Sequence, residues 1–379
     1  MRVLFSSSPA YGHVVPMVPL ARAVIDDGSS AVFATAGEFT ETVRPAGLIA
    51  AGPAFSGLAD EFSASTQFGN VTQLGELEFA EMFARVRIQM TFGAALAAGR
   101  EIDADLVVAE REDTVGPMVA AALGVPWARV LLGADLPSAI GAAIAARARQ
   151  IYASVGLAVE DPVAVFDPWP AVLQPPGWTP APGRIVMRPD PLGASGPLPP
   201  SLQRKDARPR VLVSPGTIAS DDEAVDAIVR SLLELDVEIT LTGKQGRPWP
   251  LTTSDDRVRQ VAFVPLAHLL QDTDFAVIGG GSGTVSGVMA AGIPSVVIPL
   301  VFDQDNNSWL ADQTGAALRV ERPADAGQGV AALLADGKYE KAARHVAKSI
   351  SGMPGANVAW RGLKAALKDK NSAAVACRI

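Results

Sequence analysis

Asp274-Phe-Ala-Val-Ile278-Gly279-Gly280-Gly281-Ser282-Gly283-Thr284 is the stretch on which the fold turns. Asp274 to Ile278 reads as a short buried strand, the glycines as a tight turn, and Ser282 onward as the start of a helix. Glycines let the backbone approach a ligand closely, and the free N–H groups at a helix start attract phosphate oxygens. A glycine-rich turn alone also occurs where nothing binds, so its meaning depends on its neighbours.

On the C-terminal side follow Ala291-Gly292-Ile293-Pro294, a strand Ser295 to Pro299, and Asp303-Gln304-Asp305-Asn306-Asn307. Upstream lie a strand Arg210 to Ser214, a helix from about Asp222 to Leu235, and a strand Val237 to Leu241. The chain opens in the same way: strand Val3 to Ser6, a loop with Gly12 and Pro16, helix Val18 to Ile25, strand Ala31 to Thr35. Another strand, Asp105 to Ala109, precedes a helix Val115 to Leu123. Strand and helix alternating in this way predict parallel sheets covered on both faces, with ligand groups at the strand C-terminal ends. A chain of 379 residues exceeds the usual limit for one hydrophobic core. The units opening at Arg2 and Arg210 stand too far apart for an array of short repeats, so two Rossmann-like domains are expected. The proline-rich run Pro189 to Pro209 reads as their linker. The expected division is residues 1–200, residues 201–360, and a last helix over 361–379 that packs back on the first domain.

Half the residues are apolar (49%) and 19% are charged, which fits a well-packed globular chain. The net charge of −8 argues against extended nucleic-acid binding, though a single diphosphate can still be held by backbone N–H groups. Cys377 is the one cysteine, so neither an intrachain disulfide nor a cysteine-based metal cluster is expected. The N-terminus turns polar at Ser6 to Ser8, without the apolar core of a signal peptide, and no apolar run is long enough to span a bilayer. A cytoplasmic chain without membrane or nucleic-acid partners is expected, as monomer or homodimer. Neither Ser6 to Gly12 nor Gly279 to Thr284 has the G-x-G-x-x-G spacing followed by an acid, which weakens a dinucleotide oxidoreductase.

Taken together, Val264-Pro265-Leu266, GGGSGT, AAGIP and DQDNN stand in an order and spacing that resemble the nucleotide-sugar signature of GT-B glycosyltransferases, above all bacterial enzymes of antibiotic and polyketide biosynthesis. The resemblance implies two Rossmann-like domains facing each other across a cleft. It also implies an inverting, metal-independent hexosyl transfer from a dTDP- or UDP-sugar, often a deoxysugar, to a small hydrophobic acceptor. No further cofactor is implied, because the nucleoside diphosphate sugar is a co-substrate. Carried over residue by residue, the donor would be held by Val264, Gly280, Gly281, Ser282, Gly283, Thr284, Asp303 and Gln304, with Thr217 of Ser214-Pro215-Gly216-Thr217 as a further phosphate donor. Gly279 stands where the family pattern usually has a histidine.

In Ser8-Pro9-Ala10-Tyr11-Gly12-His13-Val14-Val15-Pro16, the Gly-His-x-x-Pro pattern resembles the segment whose histidine deprotonates the acceptor. Imidazole, with an ordinary pKa near 6.5, can take and release a proton at neutral pH. His268 and His345, the other two histidines, lie in helical patterns and read as structural or surface residues. The family's orienting aspartate falls on Glu110, with Asp113 as the alternative carboxylate. Phe55, Phe62, Phe68, Phe79, Phe83, Met82 and Met90 lie in a partly helical stretch, from which Phe55, Phe62, Phe83 and Met90 are candidate acceptor contacts; more often such residues are simply core. Asp303-Gln304-Asp305 is also a D-x-D, which binds a divalent metal in another glycosyltransferase architecture; the strand order argues against that fold, and no metal is expected. A nucleotide-sugar epimerase of the same architecture and a non-catalytic nucleotide-binding protein are the alternatives.

Overall fold

The computed structural model describes residues 1–66, 75–134, 139–181, 183–190, 203–204, 207–216, 221–243, 247–261, 264–300 and 304–376, with side chains described as far as residue 367. It divides into two compact units: Met1–Pro168 with Thr179–Met187 and Pro354–Ile379, and Trp169–Trp178 with Arg188–Met353.

The first unit is built on β1 (Arg2–Ser6), β2 (Ser30–Thr35), β3 (Gly47–Ala50), β4 (Leu106–Glu110), β5 (Trp127–Val130), β6 (Val165–Asp167) and β7 (Arg184–Val186). These form one parallel sheet in the order β3-β2-β1-β4-β5-β6-β7. Val3 to Phe5 and Leu106 to Ala109 are wholly buried. Central parallel strands are covered on both faces, which is why their sequences are continuous apolar runs and do not alternate. The order reverses between β1 and β4, and in such sheets ligands collect at the strand C-terminal ends beside the reversal.

The second unit repeats the plan with β8 (Arg210–Ser214), β9 (Glu238–Thr242), β10 (Val258–Val261), β11 (Phe275–Ile278), β12 (Ser295–Val297) and β13 (Ala317–Arg319), parallel in the order β10-β9-β8-β11-β12-β13. The reversal falls between β8 and β11, whose last residues Ser214 and Ile278 are register partners. The helix expected from Asp222 ends at Leu233, and its start is capped by Asp221, whose Oδ1 accepts the Ala224 N–H at 3.0 Å. Residues 191–200 of the proline-rich run lie outside the described residues, and Arg204 at its far end pairs with Asp272 (3.1 Å) and Asp274 (2.9 Å).

Met353-Pro354-Gly355 separates the helices Lys338–Ser351 and Ala356–Ala376, and the second of these belongs to the first unit. Trp360 is fully buried there and donates its Nε1–H to Asp27 Oδ2 at 3.1 Å; Lys364 pairs with the same carboxylate. The two hydrogen bonds, from Lys364 and then Trp360, hold the Asp27 carboxyl below the usual carboxylate range. Trp360→Ala empties the largest fully buried side-chain volume and is expected to cost about 3–5 kcal/mol, read as a lower urea midpoint at unchanged slope. A loss under about 1 kcal/mol would mean that the last helix contributes little to the first unit. Among the described residues no helix is long and apolar enough to cross a membrane.

Candidate functional site

Register sets the first cluster. Ser6 of β1 pairs with Ala109 of β4, so the residues just beyond each strand emerge side by side. His13 lies in the short helix Tyr11–Val14 that follows β1, and its Nδ1 stands 2.9 Å from Oε1 of Glu110, the last residue of β4. Glu110 is 1% exposed, with both oxygens engaged: Oε1 also accepts the Ser8 N–H at 3.2 Å and Oε2 the Glu112 N–H at 2.6 Å. The glutamate reaches the histidine from the strand end itself. With Nδ1–H given to the carboxylate, the hydrogen-bond pattern assigns Nε2 as the lone-pair nitrogen of the neutral ring.

Burial alone would push the His13 imidazole down, but the charge of Glu110 and the hydrogen bond to it reverse that and raise it to about 9. Glu110 is driven upward by burial and brought down to about 2 by His13, by the Glu112 N–H and by the Arg87 charge. The pair is therefore an imidazolium and a carboxylate at neutral pH in this arrangement.

Asp113, the alternative partner, is used elsewhere. Its Oδ1 accepts Arg87 Nε (3.1 Å) and Nη2 (2.7 Å), and Oδ2 accepts the Gly116 N–H at 2.9 Å at the start of helix Val115–Leu123. A Cβ on Gly116 would come within 2.7 Å of Ala109 Cβ and 2.9 Å of Ser6 Cβ, so glycine is what lets this helix sit close to β1 and β4.

The candidate acceptor residues separate. Phe83, on a π-helical turn (Glu81–Val86) between helices Glu76–Ala80 and Arg87–Glu101, lies near-parallel to His13 with ring centroids 6.4 Å apart. Such single wide turns recur at functional sites because they re-aim side chains. Phe55 (6.3 Å) and Phe79 (5.9 Å) surround Phe83. Phe62 is fully buried in a core cluster with Leu58, Met82 and Val86, so it backs this wall and does not face solvent; Met90 is partly buried against the same cluster. Phe68 lies outside the described residues.

In the second unit Gly281 precedes helix Ser282–Ala290, and Gly281, Ser282, Gly283 and Thr284 all retain exposure. Among the described residues, and apart from chain neighbours and the helix's own backbone, no atom lies within 4 Å of a Cβ built on Gly281 or Gly283. Gly280 is different: its φ of +85° suits glycine, and a Cβ there would stand 2.9 Å from Gln304 O. Gly279 has no room for a side chain either, since its Cβ would fall 2.4 Å from Pro215 O. A histidine at that position would require the 214–216 backbone to move. Gln304 is 7% exposed and turns its Oε1 to the Leu300 N–H at 2.8 Å, bracing its own loop. Val264 is partly buried just ahead of helix Leu266–Leu270, the helix that carries His268. Thr217 and Asp303 lie outside the described residues. Asn307, which the sequence reading passed over within DQDNN, donates from Nδ2 to Gly280 O at 3.0 Å and holds the glycine turn; Asp305 pairs with Arg319 at 2.7 Å. Among the described residues no group of three or more His, Cys, Asp or Glu is gathered to hold a metal ion.

Residues 226–360 match the protein family described as Erythromycin biosynthesis protein CIII-like, C-terminal domain. Over its length the chain is 30% identical to an L-demethylnoviosyl transferase of Streptomyces niveus, covering 96% of this chain and 98% of that one. It is likewise 30% identical to an elloramycin glycosyltransferase of Streptomyces olivaceus, covering 95% and 96%. Among solved structures, the glycosyltransferase SnogD from Streptomyces nogalater superposes with a TM-score of 0.78 at 29% identity, covering 96% of this chain and 99% of that one. The Streptomyces sp. SF2575 glycosyltransferase SsfS6, complexed with thymidine diphosphate, superposes with a TM-score of 0.81 at 23% identity over the same shares.

Proposed function

The chain belongs to the natural-product glycosyltransferases of the GT-B fold, and from that premise we propose that it moves a deoxysugar from a thymidine diphosphate sugar to a hydrophobic aglycone, with inversion and with His13 as general base. That it is a glycosyltransferase follows from the family. A uridine diphosphate donor is the variant of this reading. The observation that carries the chemistry is the 2.9 Å contact between His13 Nδ1 and a doubly anchored Glu110 at the C-terminal ends of β1 and β4.

In this reading the acceptor hydroxyl gives its proton to His13 Nε2 as its oxygen bonds to the anomeric carbon, and the bond from that carbon to the diphosphate breaks on the opposite face. Glu110 stabilises the imidazolium as it forms, the role a buried carboxylate plays behind a catalytic histidine. The diphosphate leaves with its charge against the N–H groups at the start of helix Ser282–Ala290, whose N-cap Gly281 has no capping side chain, so backbone dipoles take the part that a metal plays elsewhere. Phe55, partly exposed and packed on the buried Phe83, offers the aglycone an apolar surface near the base. The thymidine choice is supported by the structural neighbour that holds thymidine diphosphate.

The test is ligand-induced melting against thymidine, uridine, adenosine and nicotinamide nucleotides, with and without EDTA, followed by transfer assays. A nucleotide at 100 times its Kd is expected to add about 2.7 kcal/mol of stability. A response to thymidine diphosphate that survives EDTA is the expected result; a response confined to NAD(P), or none, removes the donor assignment. An epimerase would turn over the nucleotide sugar with no acceptor present, which the same assay reveals.

A further inference from the structure

We propose that Arg87 is a positioning residue of the proton-transfer site: it clamps and neutralises Asp113, so that the carboxylate hydrogen-bonded to His13 is that of Glu110. The proposal rests on the reading of His13 as the base.

Three acids, Glu110, Glu112 and Asp113, crowd the turn that follows β4. Only one may address the imidazole if that ring is to give up its proton in each cycle. Arg87 meets Asp113 through two nitrogens at 3.1 and 2.7 Å, and the two side chains are 1% and 0% exposed. Asp113 in turn caps the helix start through the N–H groups of Val115 (3.3 Å) and Gly116 (2.9 Å), which points its carboxylate into the body of the unit. The turn itself is closed by the Asp113 N–H on Glu110 O at 3.1 Å. Thr114 then donates to the Phe83 carbonyl at 2.8 Å, and Tyr152 donates to the Thr114 carbonyl. Arg87 and Phe83 sit four residues apart across the π-helical turn, so one helix presents an aromatic ring to His13 and a cation to the neighbouring acid.

Stability alone does not call for this pair, because a buried ion pair can usually be replaced by apolar side chains of similar volume without loss. Its charge has a use here. The Arg87 cation opposes protonation of His13 and favours ionised Glu110. The other charged groups around the pair are Glu112, which favours the imidazolium, and Arg129, which feels Glu110, Arg111 and Tyr152. Burial raises the Tyr152 phenol well above its ordinary value, with Asp113 adding to it, so it remains neutral throughout.

The experiment is an NMR titration of the ligand-free protein labelled at the histidine rings. With three histidines in the chain, His13 is assigned by the signal lost in His13→Gln. In Arg87→Met the His13 midpoint is expected to rise by roughly half a pH unit or more, because a cation is lost and the Asp113 charge is unmasked. In Asp113→Asn, which keeps one accepting oxygen for the Gly116 N–H, it is expected to fall by a similar amount. The double variant is expected to return close to wild type. If Arg87→Met does not fold, the fall in Asp113→Asn decides. Midpoints that stay put in folded variants, or that move in the same direction in both, would reduce the pair to scaffold and overturn the proposal. The wild-type midpoint tests the His13–Glu110 pair separately, and neither reading depends on knowing the aglycone.

Discussion

Transfer by His13→Gln is expected to fall by about 10²- to 10⁴-fold, the usual worth of a general base, while the melting shift produced by thymidine diphosphate is unchanged. The base belongs to the first unit and the glycine turn to the second, so chemistry and donor binding should separate cleanly under mutation. The pH dependence carries the same signature. Because Glu110 holds the His13 pKa at about 9, kcat/KM of the free enzyme should climb through pH 7 and 8 and level off above about 9. Glu110→Gln withdraws the carboxylate, so the acid limb moves down by more than a unit while the plateau drops by about 10²- to 10⁴-fold, since the imidazolium loses its partner. A flat profile between pH 7 and 9 in the wild type, or an unmoved limb in the variant, would remove the pair from the mechanism.

Stability is linked to the same ionisations. His13 is held above its ordinary 6.5, so its contribution is complete below that value and is lost as pH rises through about 9. Glu110 is held below its ordinary 4.5, so its contribution is present above that value and is lost as pH falls through about 2. Between pH 4.5 and 6.5 both are in place, and outside that window the pair stabilises the first unit less.

Gly283→Val should melt within about 1 kcal/mol of wild type, because a Cβ there meets no atom of the described residues within 4 Å beyond its chain neighbours and its own helix backbone. It should nevertheless lose tenfold or more in affinity for thymidine diphosphate, roughly 1.4 kcal/mol or more, since what the new side chain excludes is whatever approaches the helix start. Gly281→Val should behave alike. Gly280→Ala is the contrast: with φ at +85° and the Gln304 carbonyl 2.9 Å from the added carbon, it should lose about 1–3 kcal/mol of stability as well as binding. A full thymidine diphosphate response in both Gly281→Val and Gly283→Val would place the diphosphate away from this turn.

The loop that carries His13 and the glycine turn were visible in the sequence as strand-to-helix connections, while the resemblance to the glycosyltransferases singled out the histidine and left Glu110 and Asp113 as its candidate carboxylates. Those connections follow β1 and β11, each beside a sheet reversal, where a short link between strand and helix leaves little freedom in where its residues go. Arg87 was not legible. It lies 26 residues from Asp113 on a helix whose letters read as mixed polar and apolar, and nothing in either segment names the other. The aromatic residues between Phe55 and Met90 were visible as a group but not individually. Phe62 and Phe83 are the same letter and share one core cluster, but only Phe83, on the π-helical turn, also lies against the His13 ring.

The sequence by itself determined the two parallel-sheet units and their glycine turn, because hydrophobic period and turn residues are properties of neighbouring residues. Only the tertiary structure decided which carboxylate serves that histidine and which is held away by an arginine. It also decided that Gly279 has no space for a side chain beside Pro215 O and that Gln304 braces its own loop. Those outcomes depend on distances between segments far apart in the chain, and packing sets such distances where residue type does not.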